Sequence, residues 1–123
     1  MHCQLRSADR TYFDGDASMI VARSPRGEFA VMEAHAPLLA VLDRGTIRIQ
    51  TDGGARVFVC EPGTLRTVGD RITLLVELAV PLEEIELSDV KAQMSQLDAS
   101  SEEESAEERE HLMLLQDVKE RYG

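Results

Sequence analysis

The chain has 123 residues, enough for one domain or for a small domain with an appendage. Hydrophobic residues make up 43% of it but aromatic residues only 4%, so a core must be packed from aliphatic side chains. The formal net charge of −10 argues against nucleic acid and anionic lipid as partners, because both are negatively charged. We find no run of the ~20 apolar residues that cross a bilayer and no secretory or transit signal.

The N-terminal part of the chain has the alternation and the turns of short β-strands. Residues 2–7 predict the first strand, with Cys3 and Leu5 on one face. Asp14-Gly15-Asp16 predicts a turn, and residues 17–23 predict the strand that follows it.

The same pattern continues through the next sixty residues. Thr51-Asp52-Gly53-Gly54 is typical of a tight β-hairpin, because glycine readily adopts the positive φ of such turns. Glu61-Pro62-Gly63 predicts another turn, and residues 71–80 predict the longest strand. One face of that strand is expected to be apolar, from Ile72, Leu74, Val76 and Leu78. Turns at such regular spacing predict an all-β sandwich or barrel.

From residue 82 the apolar residues recur at helical spacing, so the chain divides into residues 1–81 and 82–123. Ser88 is expected to cap a first helix, and Ser100-Ser101 to separate it from a second. Helices with narrow apolar stripes must pack on each other as a hairpin, or on another surface. The two stripes are Leu87, Val90, Met94 and Leu97, and then Leu112, Leu115, Val118 and Tyr122.

The negative charge is concentrated in the helical part. Residues 1–81 hold 9 basic and 10 acidic side chains, whereas residues 82–123 hold 4 and 13. We interpret the acidic run at 102–110 as a solvated face that complements the positive end of the second helix dipole.

The candidate reactive residues are two cysteines and one loop histidine. Cys3 and Cys60 are interpreted as half-buried strand residues rather than as a disulfide or half of a metal site, because neither belongs to a Cys/His cluster. His35 has Glu33 nearby but no Ser/His/Asp set with which to act as a base. We therefore predict no catalytic residue, no metal and no cofactor.

One stretch carries more information than the rest. Residues 27–49 read GEFAVMEAHAPLLAVLDRGTIRI, a Gly-Glu pair, then His-Ala-Pro-Leu-Leu, then Gly-x-aliphatic-Arg-aliphatic. This order and spacing closely resemble the epsilon subunit of bacterial F-type ATP synthases. Tyr12-Phe13-Asp14-Gly15 and residues 69–75, GDRITLL, resemble further parts of that family.

The resemblance implies an α+β fold, with an N-terminal antiparallel β-sandwich of about ten short strands and a C-terminal two-helix hairpin. It implies a non-catalytic subunit of the central stalk, which clamps the gamma shaft to the c-ring at the cytoplasmic face of the inner membrane. The acidic hairpin could reach the alpha/beta catalytic head and regulate ATP hydrolysis.

The resemblance also assigns an interface. In the family, the glutamate of the Gly-Glu pair and the histidine loop face the c-ring and gamma. Glu28 is expected to meet basic residues of a c subunit, and Pro37 to stiffen the loop. The interface residues assigned by position are Glu28, Met32, Glu33, Ala34, His35 and Ala36.

A nucleotide site found in some members is degenerate here. Their motif, Ile/Leu-Asp-x-x-Arg-Ala, aligns with Leu87, Ser88, Lys91 and Ala92, so serine replaces the carboxylate and lysine the guanidinium. We predict weak or absent ATP binding. Because inhibitory tails are commonly basic, the acidic tail also predicts weak inhibition.

Two alternatives stay open. The chain could be a stand-alone β-sandwich adaptor whose acidic helical tail binds some other partner. It could also be a small enzyme using His35 or Cys60, although no catalytic constellation supports this.

Overall fold

The structure, a computed structural model, describes residues 1–98 and 102–122, and their side chains except those of 96–98 and 102–106. Two compact units are present, Met1–Pro81 and Leu82–Gly123. Ser100-Ser101, the predicted break between the helices, lies outside the described residues.

The first unit is a β-sandwich of two five-stranded sheets, so the predicted fold is confirmed. The first sheet has the order β2-β1-β9-β8-β5 and the second has β10-β7-β6-β3-β4. Strand β1 lies between β2 and β9 and pairs in parallel with β9, while the other described pairs are antiparallel. The strands are β1 (His2–Arg6), β2 (Thr11–Asp16), β3 (Met19–Ser24), β4 (Gly27–Met32), β5 (Leu39–Leu42), β6 (Gly45–Thr51), β7 (Gly54–Cys60), β8 (Gly63–Val68), β9 (Arg71–Val76) and β10 (Ala79–Pro81).

The core between the sheets is mainly aliphatic, because alternate residues of each strand point inward. Cys3 and Cys60 belong to it as free thiols with 0% and 2% exposure, so they are fully buried rather than half-buried as predicted. The largest side chains with almost no exposure include Phe58, Leu5, Ile20, Leu42, Ile49, Leu65, Ile72 and Leu74.

The predicted turn at residues 14–16 is wrong, because these residues complete strand β2. In the β1–β2 ladder, His2 lies opposite Asp16 and Gln4 lies opposite Asp14. His2 Nε2 lies 2.7 Å from Asp14 Oδ1, so the aspartate is used as a cross-strand partner. The chain turns instead at residues 17–18.

The predicted strand at 71–80 is divided between the two sheets. Strand β9 ends at Val76 in the first sheet, and β10 begins at Ala79 in the second. Between them the Glu77 amide donates to the Pro62 carbonyl (3.1 Å), and the Leu78 carbonyl accepts from the Glu61 amide (2.9 Å). Leu78 is consequently 44% exposed instead of continuing the buried face. Apolar and polar residues keep alternating through residues 77–78. The sequence pattern alone therefore cannot show that the chain passes from one sheet to the other at this point.

The second unit is a helical hairpin. A 3-10 turn (Leu82–Glu84) precedes α1 (Leu87–Asp98) and α2 (Glu102–Tyr122), which pack against each other. Lys119 Nζ near the end of α2 donates to the Leu82 carbonyl (3.3 Å). Most of the described residues of the two apolar stripes are buried, including Val90, Leu112, Leu115 and Val118. Tyr122 is 38% exposed.

The start of α1 differs from the predicted cap. The helix begins at Leu87, and the Val90 amide donates to the Glu86 carbonyl (3.0 Å), so Ser88 lies inside the first turn. For Leu97, the structure describes the backbone but not the side chain. Among the described residues, neither helix is long and apolar enough to cross a membrane.

The fold holds both thiols in the neutral form. Burial, with a smaller contribution from the Asp14 charge, raises the pKa of the Cys3 thiol from 9.0 to about 12. Burial and then Glu61 raise the pKa of Cys60 as well. Because the thiolate is the reactive form, we expect neither cysteine to react with iodoacetamide near neutral pH while the chain is folded.

The same shifts predict loss of stability at alkaline pH. Between about pH 9 and pH 12 the folded chain keeps thiol protons that the unfolded chain releases, so the free energy of unfolding falls as pH rises. The slope for each thiol is about 1.4 kcal/mol per pH unit. In urea denaturation, the loss from about pH 8 to about pH 10.5 should be ~2 kcal/mol smaller for Cys60→Ala than for wild type. Equal losses would contradict this.

Candidate functional site

The six predicted interface residues occupy two places rather than one. Glu28 lies at the start of β4, and Met32 lies at its end. Four residue steps separate them, roughly 13 Å along an extended strand. Glu33, Ala34, His35 and Ala36 then belong to the loop that leads to β5.

At the first place, Glu28 already has a cationic partner within the chain. Its Oε1 lies 3.3 Å from Arg48 Nη2 on β6, and the two side chains are 52% and 33% exposed. Arg23 lies directly opposite Glu28 in the β3–β4 ladder and therefore projects from the same outer face. Sequence reasoning assigned neither arginine to the site, because their proximity to Glu28 depends on the pairing of β3 with β4 and β6.

The second place is a loop with a defined backbone. Ala34 has φ of 61°, a left-handed conformation that is uncommon for a residue with a Cβ. Glu33 Oε1 accepts a hydrogen bond from the Met1 ammonium (3.3 Å), and His35 Nδ1 lies 3.2 Å from the Ala36 carbonyl. Met32 is 58% exposed, so a large apolar side chain faces water beside the loop. These contacts favour a loop that is ordered before any partner binds.

Thr67 holds the far end of this loop. The Thr67 side chain is buried on β8, and its Oγ1 accepts from the Leu38 amide (2.7 Å). The Thr67 amide in turn donates to the Leu38 carbonyl (2.9 Å). Sequence reasoning did not select Thr67, because a threonine in a strand gives no sign of what it contacts.

Replacing Thr67 by Val should loosen the loop. The isosteric change removes the hydroxyl and leaves the Leu38 amide without that acceptor, which should cost about 1 kcal/mol. Amide hydrogen exchange at Leu38 should become roughly fivefold faster, while Thr67→Ser should restore the wild-type rate. Thr51→Val is the matched control, since Thr51 Oγ1 donates to the Gly54 carbonyl (2.8 Å) in a different hairpin. Equal exchange at Leu38 in all variants would contradict a clamp at Thr67.

An exposed apolar surface lies next to the loop. Leu39 and Val41 on the edge strand β5 are 73% and 65% exposed, and Val68 and Leu75 are 57% and 46% exposed. The register places all four on the outer side of the first sheet, and we call them the apolar face. A groove of about 460 Å³ crosses it, lined by Thr64, Arg66, Val68, Arg71, Thr73 and Leu75.

The apolar face was only partly visible in the sequence. The block 38–42 is plainly apolar, but Leu42 alone is fully buried, with 2% exposure, and Ala40 packs partly buried against the core. Because β5 is an edge strand, it also leaves one side of its backbone unpaired within the sheet. Exposed apolar residues on an open edge are typical of a surface that a partner covers.

The four positions of the degenerate nucleotide motif lie at the start of α1. Leu87 is half-buried, and Ser88, Lys91 and Ala92 are exposed. Ser88, Lys91 and Ala92 share one helix face by their spacing, so the surface offers a hydroxyl and an ammonium where the motif has a carboxylate and a guanidinium. Weak or absent ATP binding stays a prediction.

Comparison with known protein families shows which family the chain belongs to. Residues 1–82, two thirds of the chain, match the model of the ATP synthase delta/epsilon chain beta-sandwich domain. The chain belongs to the ATP synthase delta/epsilon family. The resemblance to bacterial epsilon subunits in the sequence is thereby confirmed.

Relatives from bacteria agree with the delta/epsilon assignment. An ATP synthase epsilon chain of Streptomyces griseus is 36% identical over 88 residues, covering 71% of each chain. One from Streptomyces coelicolor is 35% identical and covers 78% of each chain. One from Rubrobacter xylanophilus is 29% identical and covers 91% of this chain and 82% of its own.

Solved structures share the delta/epsilon fold. A chain in the OSCP/F1/c-ring structure of the Euglena gracilis mitochondrial ATP synthase superposes with a TM-score of 0.77 and 19% identity, covering 98% of this chain and 80% of that one. A chain of the Tetrahymena thermophila central stalk/c-ring structure has a TM-score of 0.58 and 17% identity, covering 69% of each.

Proposed function

We propose that this chain is the non-catalytic central-stalk subunit of an F-type ATP synthase, and that it links the gamma shaft to the c-ring. The observation that carries the proposal is the family match over residues 1–82, together with a bacterial epsilon chain that is 36% identical over 71% of this chain. Such a subunit works at the cytoplasmic face of the inner membrane without crossing it.

The two exposed regions of the sandwich suit this role. The apolar face and the adjoining loop from Met32 to Ala36 offer an ordered, partly apolar surface for the gamma subunit. Glu28 and its arginine neighbours offer a separate charged surface for the c-ring. A close-packed two-sheet core between them transmits force with little deformation.

Binding of the two proposed partners tests the assignment. The tagged full chain should retain both a gamma-like coiled coil and the detergent-solubilised c-ring through washes at moderate salt. A matched control is the chain carrying Leu74→Asp, which places a charge in the core and should bind neither partner. A stand-alone adaptor would recover neither partner in its native form.

We propose only a weak regulatory role for the hairpin toward the alpha/beta head. Its described acidic side chains include Glu107, Glu108 and Glu110, which would be repelled by acidic surfaces of a catalytic head. Removing residues 87–123 from the reconstituted complex should therefore raise ATP hydrolysis less than about twofold. A much larger increase would contradict weak inhibition.

A further inference from the structure

We infer that the segment of gamma that covers the apolar face carries a carboxylate, and that Arg66 on β8 is the residue that pairs with it. This inference rests on the proposed function, since it names the chemistry of the gamma segment that docks on this face. Arg66 is then a residue that decides which partner the chain accepts.

The strand register places Arg66 in the middle of the apolar face. Its directly paired residues are Leu39 on β5 and Thr73 on β9, and Val68 follows two positions later on its own strand. Residues paired in this way project from the same side of a sheet, about 5 Å apart. Because Leu39 and Val68 are 73% and 57% exposed, a partner that covers them must cover Arg66 as well.

Arg66 has no acidic residue beside it on this face. Its remaining neighbours across the two ladders and along β8 are Val41, Thr64, Arg71 and Leu75, none of which is acidic. Within the part of the chain that the structure describes, neither Arg66 nor Arg71 forms an ion pair. Both side chains are exposed, so water solvates the two guanidinium groups in the free chain.

The carboxylates at the β2 edge and at the β8–β9 turn have other positions and partners. Asp14 and Asp16 lie on β2, three strands from β8, which is roughly 14 Å across the sheet. Asp14 Oδ1 lies 2.7 Å from His2 Nε2. Asp70, in the turn before Arg71, has its Oδ1 4.0 Å from the Met1 ammonium.

The carboxylates at the other end of the sheet lie beyond the strands. Asp43 follows β5 and Glu77 follows β9. Four residues separate Asp43 from Leu39 and Glu77 from Thr73, roughly 13 Å in an extended chain. Acidic groups therefore border the apolar face, but its centre holds a guanidinium group without a counter-charge.

A partner that covers this centre has to supply an acceptor. Burying a guanidinium group without a counter-charge is costly, whereas a carboxylate can bind it through two parallel hydrogen bonds. The groove of about 460 Å³ across the face is lined by both arginines and by the hydroxyl-bearing Thr64 and Thr73, with no acidic residue among its described lining. A carboxylate on gamma fits this groove and leaves the apolar side chains around it to pack against gamma.

Isothermal titration of purified gamma with the full chain tests the inference. Arg66→Met keeps an apolar stem but removes the charge, so it would leave the gamma carboxylate covered and unpaired. It should bind gamma about ten- to 30-fold more weakly than wild type, and its affinity should depend less on salt. Arg66→Lys should recover part of the affinity, because it keeps the charge but not the planar fork.

Arg26→Met is the matched control. Arg26 is an exposed arginine in the turn between β3 and β4 of the second sheet, away from the apolar face. It should bind gamma as wild type does, with the same salt dependence. Urea midpoints equal to that of wild type in all three variants would show that the sandwich stays folded.

Three results would overturn the inference. Equal or tighter binding by Arg66→Met would mean that gamma has no acceptor there and that covering Arg66 opposes binding. Weaker binding with an unchanged salt dependence would assign the acceptor to neutral carbonyl groups. Binding of wild type to phosphatidylglycerol vesicles that Arg66→Met abolishes would assign the face to lipid, against the repulsion expected from the chain's charge of −10.

The experiment separates the inference from the proposed function. If wild type does not bind gamma, the proposed function fails and the inference fails with it. If wild type binds gamma, the proposed function stands and the Arg66 variants bear on the inference alone.

Discussion

Leu39→Asp should weaken binding to the gamma subunit at least ~30-fold while leaving the sandwich folded. Leu39 is 73% exposed, so the folded chain gains little from burying it, but a partner covering the apolar face would have to desolvate the new carboxylate. The free energy of unfolding should change by no more than about 1 kcal/mol, the range of strand propensity. Isothermal titration with purified gamma and urea denaturation measure the two quantities.

Gln50→Asp is the control for this experiment. Gln50 is also an exposed strand residue, but it lies on β6 of the second sheet, away from the apolar face. The control should bind gamma as wild type does. If Leu39→Asp also binds normally, the apolar face is not part of the gamma interface and another surface must be sought.

Gly63→Ala should destabilise the sandwich by about 3 kcal/mol or more. A Cβ at this position would lie 2.0 Å from the Leu75 carbonyl oxygen and 2.7 Å from Val76 Cα. These are backbone atoms of β9, so they cannot rotate away as a side chain could. We expect a lower urea midpoint with an unchanged m-value.

Gly53→Ala separates this steric effect from the general effect of replacing glycine. A Cβ on Gly53 would meet only Thr51 Oγ1, at 3.8 Å, an ordinary contact. Its stability should stay within about 1 kcal/mol of wild type, and a small gain is possible because the unfolded chain becomes less flexible. Similar losses in both variants would mean that the close approach of β9 to Gly63 adds nothing to the general effect of replacing glycine.

The sandwich and the hairpin were predictable because their signals are local. Turn residues, alternation and helical spacing all lie within a few positions of one another, as in the Gly53-Gly54 hairpin. Gly63 shows the limit: its sequence context predicts a turn, yet it begins β8 and pairs with both Val76 and Leu42. A local sequence pattern cannot show which distant segment of backbone packs against a glycine.

The surroundings of the candidate residues could not be predicted from the sequence. Family resemblance selects Glu28 and His35, which are seven positions apart in the sequence. Glu28 lies at the start of β4 and forms a salt bridge to Arg48, twenty residues later, whereas His35 lies in the loop that follows β4. The Glu28–Arg48 pair forms because the order of the strands brings β4 and β6 close together. The order of the strands also brings Thr67 of β8 to the loop residue Leu38.

The position of β1 has a consequence for synthesis of the chain. Strand β1 lies inside the first sheet and pairs with β9. Its side chains Cys3 and Leu5 therefore cannot be fully buried until residues 71–76 have left the ribosome. In a nascent chain, β1 therefore cannot complete its pairing until almost the whole sandwich has been translated. Pairing between strands so far apart in the sequence slows folding. A truncated product that lacks β9 would leave one side of β1 without its pairing strand.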